Sequence, residues 1–334
     1  MEHRFGAAPP WTLGIEEELV LVDAGTFATA PAFTEVFGDG AEPFKAELFE
    51  CLVELTTGVV EAGAVLGELE RLRAEAAELA APHGVRVHAA GTHALAVGAG
   101  QPIVPVERYE RLAKTIGQPI YRQLVCGLHV HVSIPDPDAC LRAFEGVVPW
   151  LPVLLALSAN SPFAEGADTG RRSERAERLL EMPTGGTPPV LGGWDDWEAA
   201  TAGDAGRRHW DAWPRPEYGT LEVRVMDMQT DVRRSAGLAA IVQALAKLVP
   251  ETAPEPYDRE LYARRRAAAE TAPPSRIELD QLAELVRPAL DSGARHLAEA
   301  VLSGPAEAER QLEVAARDGI AAVPPDVARR TVAS

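Results

Sequence analysis

Three stretches of this 334-residue sequence set titratable side chains two residues apart: Glu16 and Glu18, His129 and His131, Glu222 and Arg224. In an extended strand, residues i and i+2 share a face, so each pair projects to one side. The alternating positions are apolar: Leu13, Ile15, Leu19 and Leu21 in the first stretch, Leu128, Val130, Val132 and Ile134 in the second, Leu221, Val223 and Val225 in the third. Glu17 is the exception, a carboxylate on the apolar side of its strand. Ser133 and Thr220 complete the polar faces. Solvated sheet faces carry scattered Lys, Thr, Ser and Gln, whereas these carry Glu-x-Glu, His-x-His and Glu-x-Arg.

If the three faces converge, their charges need compensation. Two carboxylates roughly 5 Å apart repel by about 3 kcal/mol at an effective dielectric near 20. A cluster of four or more either takes up protons or binds a cation. Oxygen ligands with a single imidazole suit Mg²⁺, with Mn²⁺ as the alternative, better than Zn²⁺. Glu47 and Glu54 are further candidates. Seven residues apart, they would lie on opposite faces of one strand, so either a bend near Phe49 intervenes or one of them is not a ligand.

The elements that must carry these residues can be read from periodicity. Strands are expected at Thr12–Val22, Leu52–Thr57, Val85–Ala90, Leu128–Ile134 and Thr220–Met228. An amphipathic helix is expected at Val65–Ala81, with Leu66, Leu69, Leu72, Ala76 and Leu79 at helical spacing. A mostly buried helix at Asp138–Leu157 is interrupted near Pro149 and Pro152. Residues 160–216 are rich in Gly, Pro, Arg and Trp and read as a long loop region, a substrate lid or pocket wall. An apolar helix runs from about Arg234 to Leu248. Beyond Pro250 the chain is helical (Asp258–Glu270, Glu278–Leu290, Ala294–Ser303, Ala306–Arg317), and the last dozen residues read as frayed. Strands and helices do not alternate in a βαβ rhythm, and the strands alternate in polarity. The class is α+β, with an antiparallel sheet that has helices on one face and is open on the other. The simplest division is a catalytic domain over residues 1–250 and a C-terminal helical segment over 251–334 packed on it.

Composition narrows the function. Lys and Arg number 32 against 50 Asp and Glu, a formal charge of −18, which disfavours nucleic acid and anionic membrane surfaces as partners. No apolar run is read as approaching the roughly 18–20 residues of a membrane span, and the first eleven residues lack a secretory pattern. Cys51, Cys126 and Cys140 read as buried thiols in a reducing compartment, so the expected location is the cytoplasm. Neither a Gly-x-x-x-x-Gly-Lys-Ser/Thr loop nor a strand–Gly-x-Gly-x-x-Gly–helix unit occurs. Any nucleotide is therefore held by metals and arginines.

Six motifs occur in order: Gly14-Ile15-Glu16-Glu17-Glu18-Leu19, Glu54-Leu55-Thr56, Gly91-Thr92-His93, Cys126-Gly127-Leu128-His129-Val130-His131-Val132, Asn160-Ser161-Pro162-Phe163 with Asp168-Thr169-Gly170, and Gly219-Thr220-Leu221-Glu222-Val223-Arg224-Val225. Together they resemble the carboxylate–amine ligase family, also called glutamate–cysteine ligase type 2, from about residue 11 to 248. The resemblance implies a glutamine synthetase-like fold: a curved antiparallel sheet forming an open funnel, metal ligands on its concave face and helices on its outer face. It implies one metal site at Glu18, Glu47 and Glu54 and a second at Glu16, His129 and Glu222. Arg224 then holds the substrate carboxylate or the transferred phosphoryl group, with Glu222 beside it, and Arg175 is a second candidate for that pocket. His131 either touches nucleotide phosphate or packs. Arg171 and Arg172 depart from the family pattern, which has an aromatic residue there, and the following loop is short; both bear on the acceptor amine.

The implied reaction is ATP-driven amide formation between a small carboxylate, glutamate in this family, and cysteine or another amine, through an acyl phosphate. Its cofactors are ATP and Mg²⁺, or Mn²⁺, and a homodimer is a possible assembly. No protein nucleophile is expected. The alternatives are a related phosphotransferase on the same fold, a catalytically inactive Mg-nucleotide-binding protein, and a structural oligomer that would leave the polar strand faces without a purpose.

Overall fold

The alternation read from the sequence builds one antiparallel sheet around a long first strand. The computed structural model describes residues 3–202, 209–248 and 256–332. In chain order the elements are β1 (Leu13–Asp23), α1 (Phe33–Phe37), β2 (Phe44–Ala46), β3 (Leu52–Thr56), α2 (Val65–Ala80), β4 (Val85–His88), α3 (Glu107–Ile116), β5 (Gly127–Ser133), α4 (Pro137–Val147) and α5 (Leu151–Ser158). There follow a short hairpin of β6 (Phe163–Ala164) and β7 (Ala167–Asp168), then α6 (Glu174–Leu179), α7 (Trp194–Thr201), β8 (Ala212–Arg215), β9 (Thr220–Asp227) and α8 (Val232–Lys247). The C-terminal part holds α9 (Arg259–Ala269), α10 (Arg276–Val286), α11 (Arg295–Ser303), α12 (Glu307–Asp318) and α13 (Val323–Thr331).

The strand order is β2-β3-β1-β5-β9-β8, with β4 also paired to β1. β1 is long enough to serve two neighbours along one edge: Leu13–Glu17 pair with β5, and Val20–Asp23 with β4. The apolar face of β1, β5 and β9 (Ile15, Leu128, Val130, Val132, Leu221, Val223) is buried against α4, α5 and α8. Leu282, Val286, Leu297 and Val301 of α10 and α11 lie in the same apolar cluster. The expected boundary at Pro250 lies outside the described residues.

Glu17, misplaced by the polarity pattern, has a buried partner. Arg73 of α2 grips both its carboxylate oxygens at 2.7 Å and donates to the carbonyls of Gln229 and Thr230. The charge sits in the core because it is paired and hydrogen-bonded.

Several sequence expectations need correction. The polar sheet face is not bare: Glu222, His129 and His131 are all buried, because residues of α3, α6 and the segments beside them wall that face. The 160–216 stretch contains β6 to β8, α6 and α7, not loop alone. The last residues form α13, whose Val327 is buried and whose Arg330 pairs with Glu307. Pro near its start fits a helix's first turn, where no amide is needed. Among the described residues one helical stretch, Pro137–Ser158, is long and apolar enough to cross a membrane, but 72% of its most apolar window is buried inside the fold. α5 within it is buried on every side because it is a core element between β9 and α9, whereas α4 keeps a polar face with Asp138 and Arg142.

Candidate active site

Strand register sets the site out in rows. Lys45 of β2, Glu54 of β3 and Glu18 of β1 are successive cross-strand partners. The next row runs Thr56, Glu16, His129. The third runs Gly14, His131, Glu222, Trp213, and the last joins Ser133, Thr220 and Arg215. A β-bulge in the β5–β9 pairing between Leu128 and Val130 removes His129 from direct opposition to β9 and makes His131 the partner of Glu222.

Two acidic groups result. Glu18, Glu47 and Glu54 bring ligand oxygens within 4.8 Å of one another, and so do Glu16, His131 and Glu222. Glu47 reaches the first group because it directly follows β2, in the connection that turns back into β3, where Glu54 lies, so the two glutamates do not share one strand. The second group differs from the expected set in one member: His131 takes the place of His129. The register is the reason: His131, not His129, stands opposite Glu222 on β9. His129 instead bridges the groups, Nδ1 3.0 Å from Glu16 Oε2 and Nε2 3.8 Å from Glu18 Oε1.

The groups differ electrostatically. Burial, with Glu18 alongside, pushes the Glu47 carboxyl up to about 7. Burial and then the charges of Glu16, Glu47 and Glu18 raise Glu54 as well. Burial also works to raise Glu16, but His129 and His131 outweigh it and hold that carboxyl at about 2. At Glu222 burial is outweighed by Arg224 and Arg215, and the carboxyl lies far below its usual range. Burial lowers the His131 pKa against the opposite pull of Glu222 and Glu16. His131 Nδ1 meets Thr220 Oγ1 at 2.9 Å, while its Nε2 is buried with no hydrogen-bond partner among the described residues. That orphaned nitrogen, beside clustered carboxylates, fits a divalent cation with hard oxygen preferences.

A cavity of about 430 Å³ opens beside the rows, and its lining includes Glu18, Glu47, His129, Arg175, Arg215 and Arg224. Arg224 Nη1 is 3.4 Å and Arg215 Nη1 2.5 Å from opposite oxygens of Glu222. Arg175 is buried and donates to the carbonyls of Arg224 and Val225. A Cβ on Gly127 would stand 2.2 Å from Arg175 Nη2 and 2.8 Å from His129 Nε2, and the Gly127 amide donates to Glu18 Oε2 at 2.5 Å. A side chain there would displace the Arg175 guanidinium or the His129 ring from its place.

Sequence reasoning missed Arg215, Lys45 and Arg108. Arg215 sits on a four-residue edge strand containing Pro214, which periodicity does not flag. Lys45 is 3.8 Å from Glu54. Arg108 lies over the Tyr109 ring at 4.4 Å, and Tyr109 Oη donates to Ala46 O at 2.8 Å, tying α3 to the strand beside Glu47. Arg171 and Arg172 pair with Glu177 and Glu309 and do not line the cavity.

The sequence was compared with known proteins. The model of glutamate-cysteine ligase family 2 matches residues 12–334. The chain belongs to that family. It is 39% identical over 269 residues to a Rubrobacter xylanophilus protein bearing the name glutamate–cysteine ligase 2-3, covering 76% of this chain and 74% of that protein. A Nocardia farcinica relative named glutamate–cysteine ligase 2-1 is 34% identical over 84% of this chain and 81% of its own length. Two solved structures share the fold of this ligase at 14% identity. The glutamate–cysteine ligase of Francisella tularensis, in complex with AMP, superposes with a TM-score of 0.69 over 97% of this chain and 89% of its own. The bifunctional glutathione synthetase of Pasteurella multocida gives 0.72 over 96% of this chain and 52% of its own. The fold is the glutamine synthetase-like one, and the protein is an ATP-dependent ligase forming C–N bonds.

Proposed function

We propose that this ligase joins a small carboxylate, glutamate by family analogy, to cysteine or another amine through an acyl phosphate, using ATP with Mg²⁺ or Mn²⁺. The observation that carries the reading is a cavity lined by Glu18 and Glu47 of the first acidic group and by the guanidinium groups of Arg175, Arg215 and Arg224, with the second acidic group joined to it where Arg215 and Arg224 pair with Glu222. An anionic donor and an anionic phosphoryl group repel each other, and a site that brings them together must supply both metal ligands and fixed cations.

The residues divide the work. Glu18, Glu47 and Glu54 would hold one cation, and Glu16, His131 and Glu222 another, with Glu222 steered by its two arginines. His129 spans the two groups and fixes their separation. With Nδ1–H given to Thr220, His131 turns its Nε2 lone pair toward Glu16 and Glu222. The bound divalent ions would neutralise phosphate charge and align ATP. Arg224 and Arg175 would orient the donor carboxylate and the phosphoryl group, the contact for which a guanidinium's forked donors suit best. A donor oxygen attacks the γ-phosphorus and ADP leaves; the amine then attacks the acyl carbon and phosphate leaves. Cys126 takes no part: it is buried, its thiol is pushed well up by that burial, and it does not line the cavity.

The test is phosphate release from ATP with Mg²⁺ and glutamate, with and without a panel of amines, followed by mass spectrometry. Amine-dependent phosphate with a γ-glutamyl amide is expected. ATP turnover with no amide under any carboxylate–amine pair would overturn the reading.

A further inference from the structure

A third buried carboxylate belongs to neither acidic group. Asp227, the last residue of β9, is fully buried. Its Oδ2 accepts from Ser161 Oγ at 2.6 Å and from the Asn160 amide at 2.8 Å, and its Oδ1 accepts from Ser173 Oγ at 2.8 Å. These donors stand on either side of the Asp168-Thr169-Gly170 loop, Ser161 where the chain enters it and Ser173 where it leaves. One carboxylate therefore closes the base of that loop. Gly91 makes room for it, since a Cβ there would fall 2.7 Å from Asp227 Oδ2.

What the closure holds is Arg175. Ser173 caps α6 by accepting the Ala176 amide at 3.2 Å, and Ser161 Oγ accepts the Arg175 amide at 3.1 Å. The Arg175 side chain then returns to β9 two and three residues before Asp227, at the carbonyls of Val225 and Arg224. Gly127 lets it pass. Its Nε is buried with no hydrogen-bond partner among the described residues, although the group lines the cavity. A guanidinium desolvated against carbonyl oxygens, with donor capacity unspent, is poised for an anion.

We propose that Asp227 is a positioning residue: through Ser161 and Ser173 it fixes α6 so that Arg175 presents an anion-binding guanidinium to the cavity. The clamp explains why Asn160-Ser161-Pro162-Phe163 and the Asp-Thr-Gly loop, neither of which supplies a side chain to the acidic groups, belong with the site. That the anion is the donor carboxylate or a phosphate of ATP rests on the ligase reading above; the clamp does not.

The experiment has two arms on the full chain. Amide hydrogen exchange of residues 161 and 173–176 is followed in the wild type, Asp227→Ala and Asp227→Asn. Exchange in Asp227→Ala should rise by about tenfold or more, with Asp227→Asn between the two, because an amide side chain keeps one acceptor and can donate to a serine hydroxyl. In the second arm, kcat/KM is measured for Asp227→Ala, Arg175→Gln and the double variant. Asp227→Ala alone should lose about tenfold or more, yet less than about twofold when Arg175 is already Gln. Unchanged exchange, or equal losses in both backgrounds, would overturn the proposal. If the wild type itself shows no turnover, the ligase reading fails and the exchange arm alone decides the clamp. If Asp227→Ala does not fold, Asp227→Asn carries both arms.

Discussion

Arg73 of α2 and Glu17 of β1 form a two-pronged ion pair with neither side chain more than 1% exposed. It ties the strand that carries Glu16 and Glu18 to the helix behind the sheet, and through the Gln229 and Thr230 carbonyls to the segment just beyond β9. Removing one partner leaves an uncompensated buried charge. Arg73→Met or Glu17→Leu alone should therefore cost about 3–5 kcal/mol of stability, and the paired replacement should recover much of it. Denaturant unfolding of the three variants checks this; losses that simply add would contradict it.

The first acidic group makes stability depend on pH in a way that a cation should reverse. Glu47 and Glu54 have raised pKa values, so the folded chain without metal holds protons that the unfolded chain releases above its ordinary carboxyl value of 4.5. The contribution of Glu47 is lost as pH rises from about 4.5 through about 7, and that of Glu54 is likewise lost as pH rises past its ordinary value. Glu16, held at about 2, acts oppositely: its contribution is present above 4.5 and lost as pH falls through 2. Thermal melts between about pH 5 and about pH 8 should show the Mg²⁺-induced rise in Tm growing with pH. A Mg²⁺ effect equal at every pH would contradict it. Glu54→Gln should raise the metal-free Tm and shrink the Mg²⁺ response.

Thr220 offers a test of the histidine assignment. Its hydroxyl engages His131 Nδ1, so Thr220→Val should weaken Mn²⁺ binding by about 10-fold, as loss of a ligand's orienting hydrogen bond does. Titration calorimetry reads this directly. An unaltered affinity, together with a large loss in His129→Ala and none in His131→Ala, would move the second site back to His129.

At Arg224, conservation of charge should not suffice. Arg224→Lys is expected to lower kcat/KM by about 100-fold or more, because an ammonium cannot reproduce a forked contact. Steady-state kinetics checks it. Cys126→Ala should keep activity within about threefold of wild type, since the thiol does not line the cavity and truncating a buried side chain costs stability, not a substrate contact.

How much of this was legible in the sequence follows from the range of each signal. Strand alternation is a two-residue pattern, so β1, β5 and β9 and their polar faces could be read locally. The partner of Glu17 could not, because Arg73 is 56 residues away. That His131 and not His129 groups with Glu222 turns on the β5–β9 register, which hydrophobic alternation within one strand does not encode. Lys45, Arg108 and Arg215 escaped for another reason. They sit on a three-residue strand, a polar helix and a Pro-containing edge strand, where Pro is tolerated only because no neighbour needs its amide. The interruption expected near Pro149 and Pro152 was local enough to read: α4 ends at Val147, a 3-10 turn holds Pro149, and α5 restarts at Leu151 with Pro152 in its first turn.

The most direct test of amide formation through an acyl phosphate is to follow oxygen. With the donor carboxylate labelled with ¹⁸O and incubated with ATP, Mg²⁺ and the accepted amine, the inorganic phosphate should carry one labelled oxygen for each amide formed. Unlabelled phosphate, or release of AMP and pyrophosphate in place of ADP and phosphate, would contradict the account.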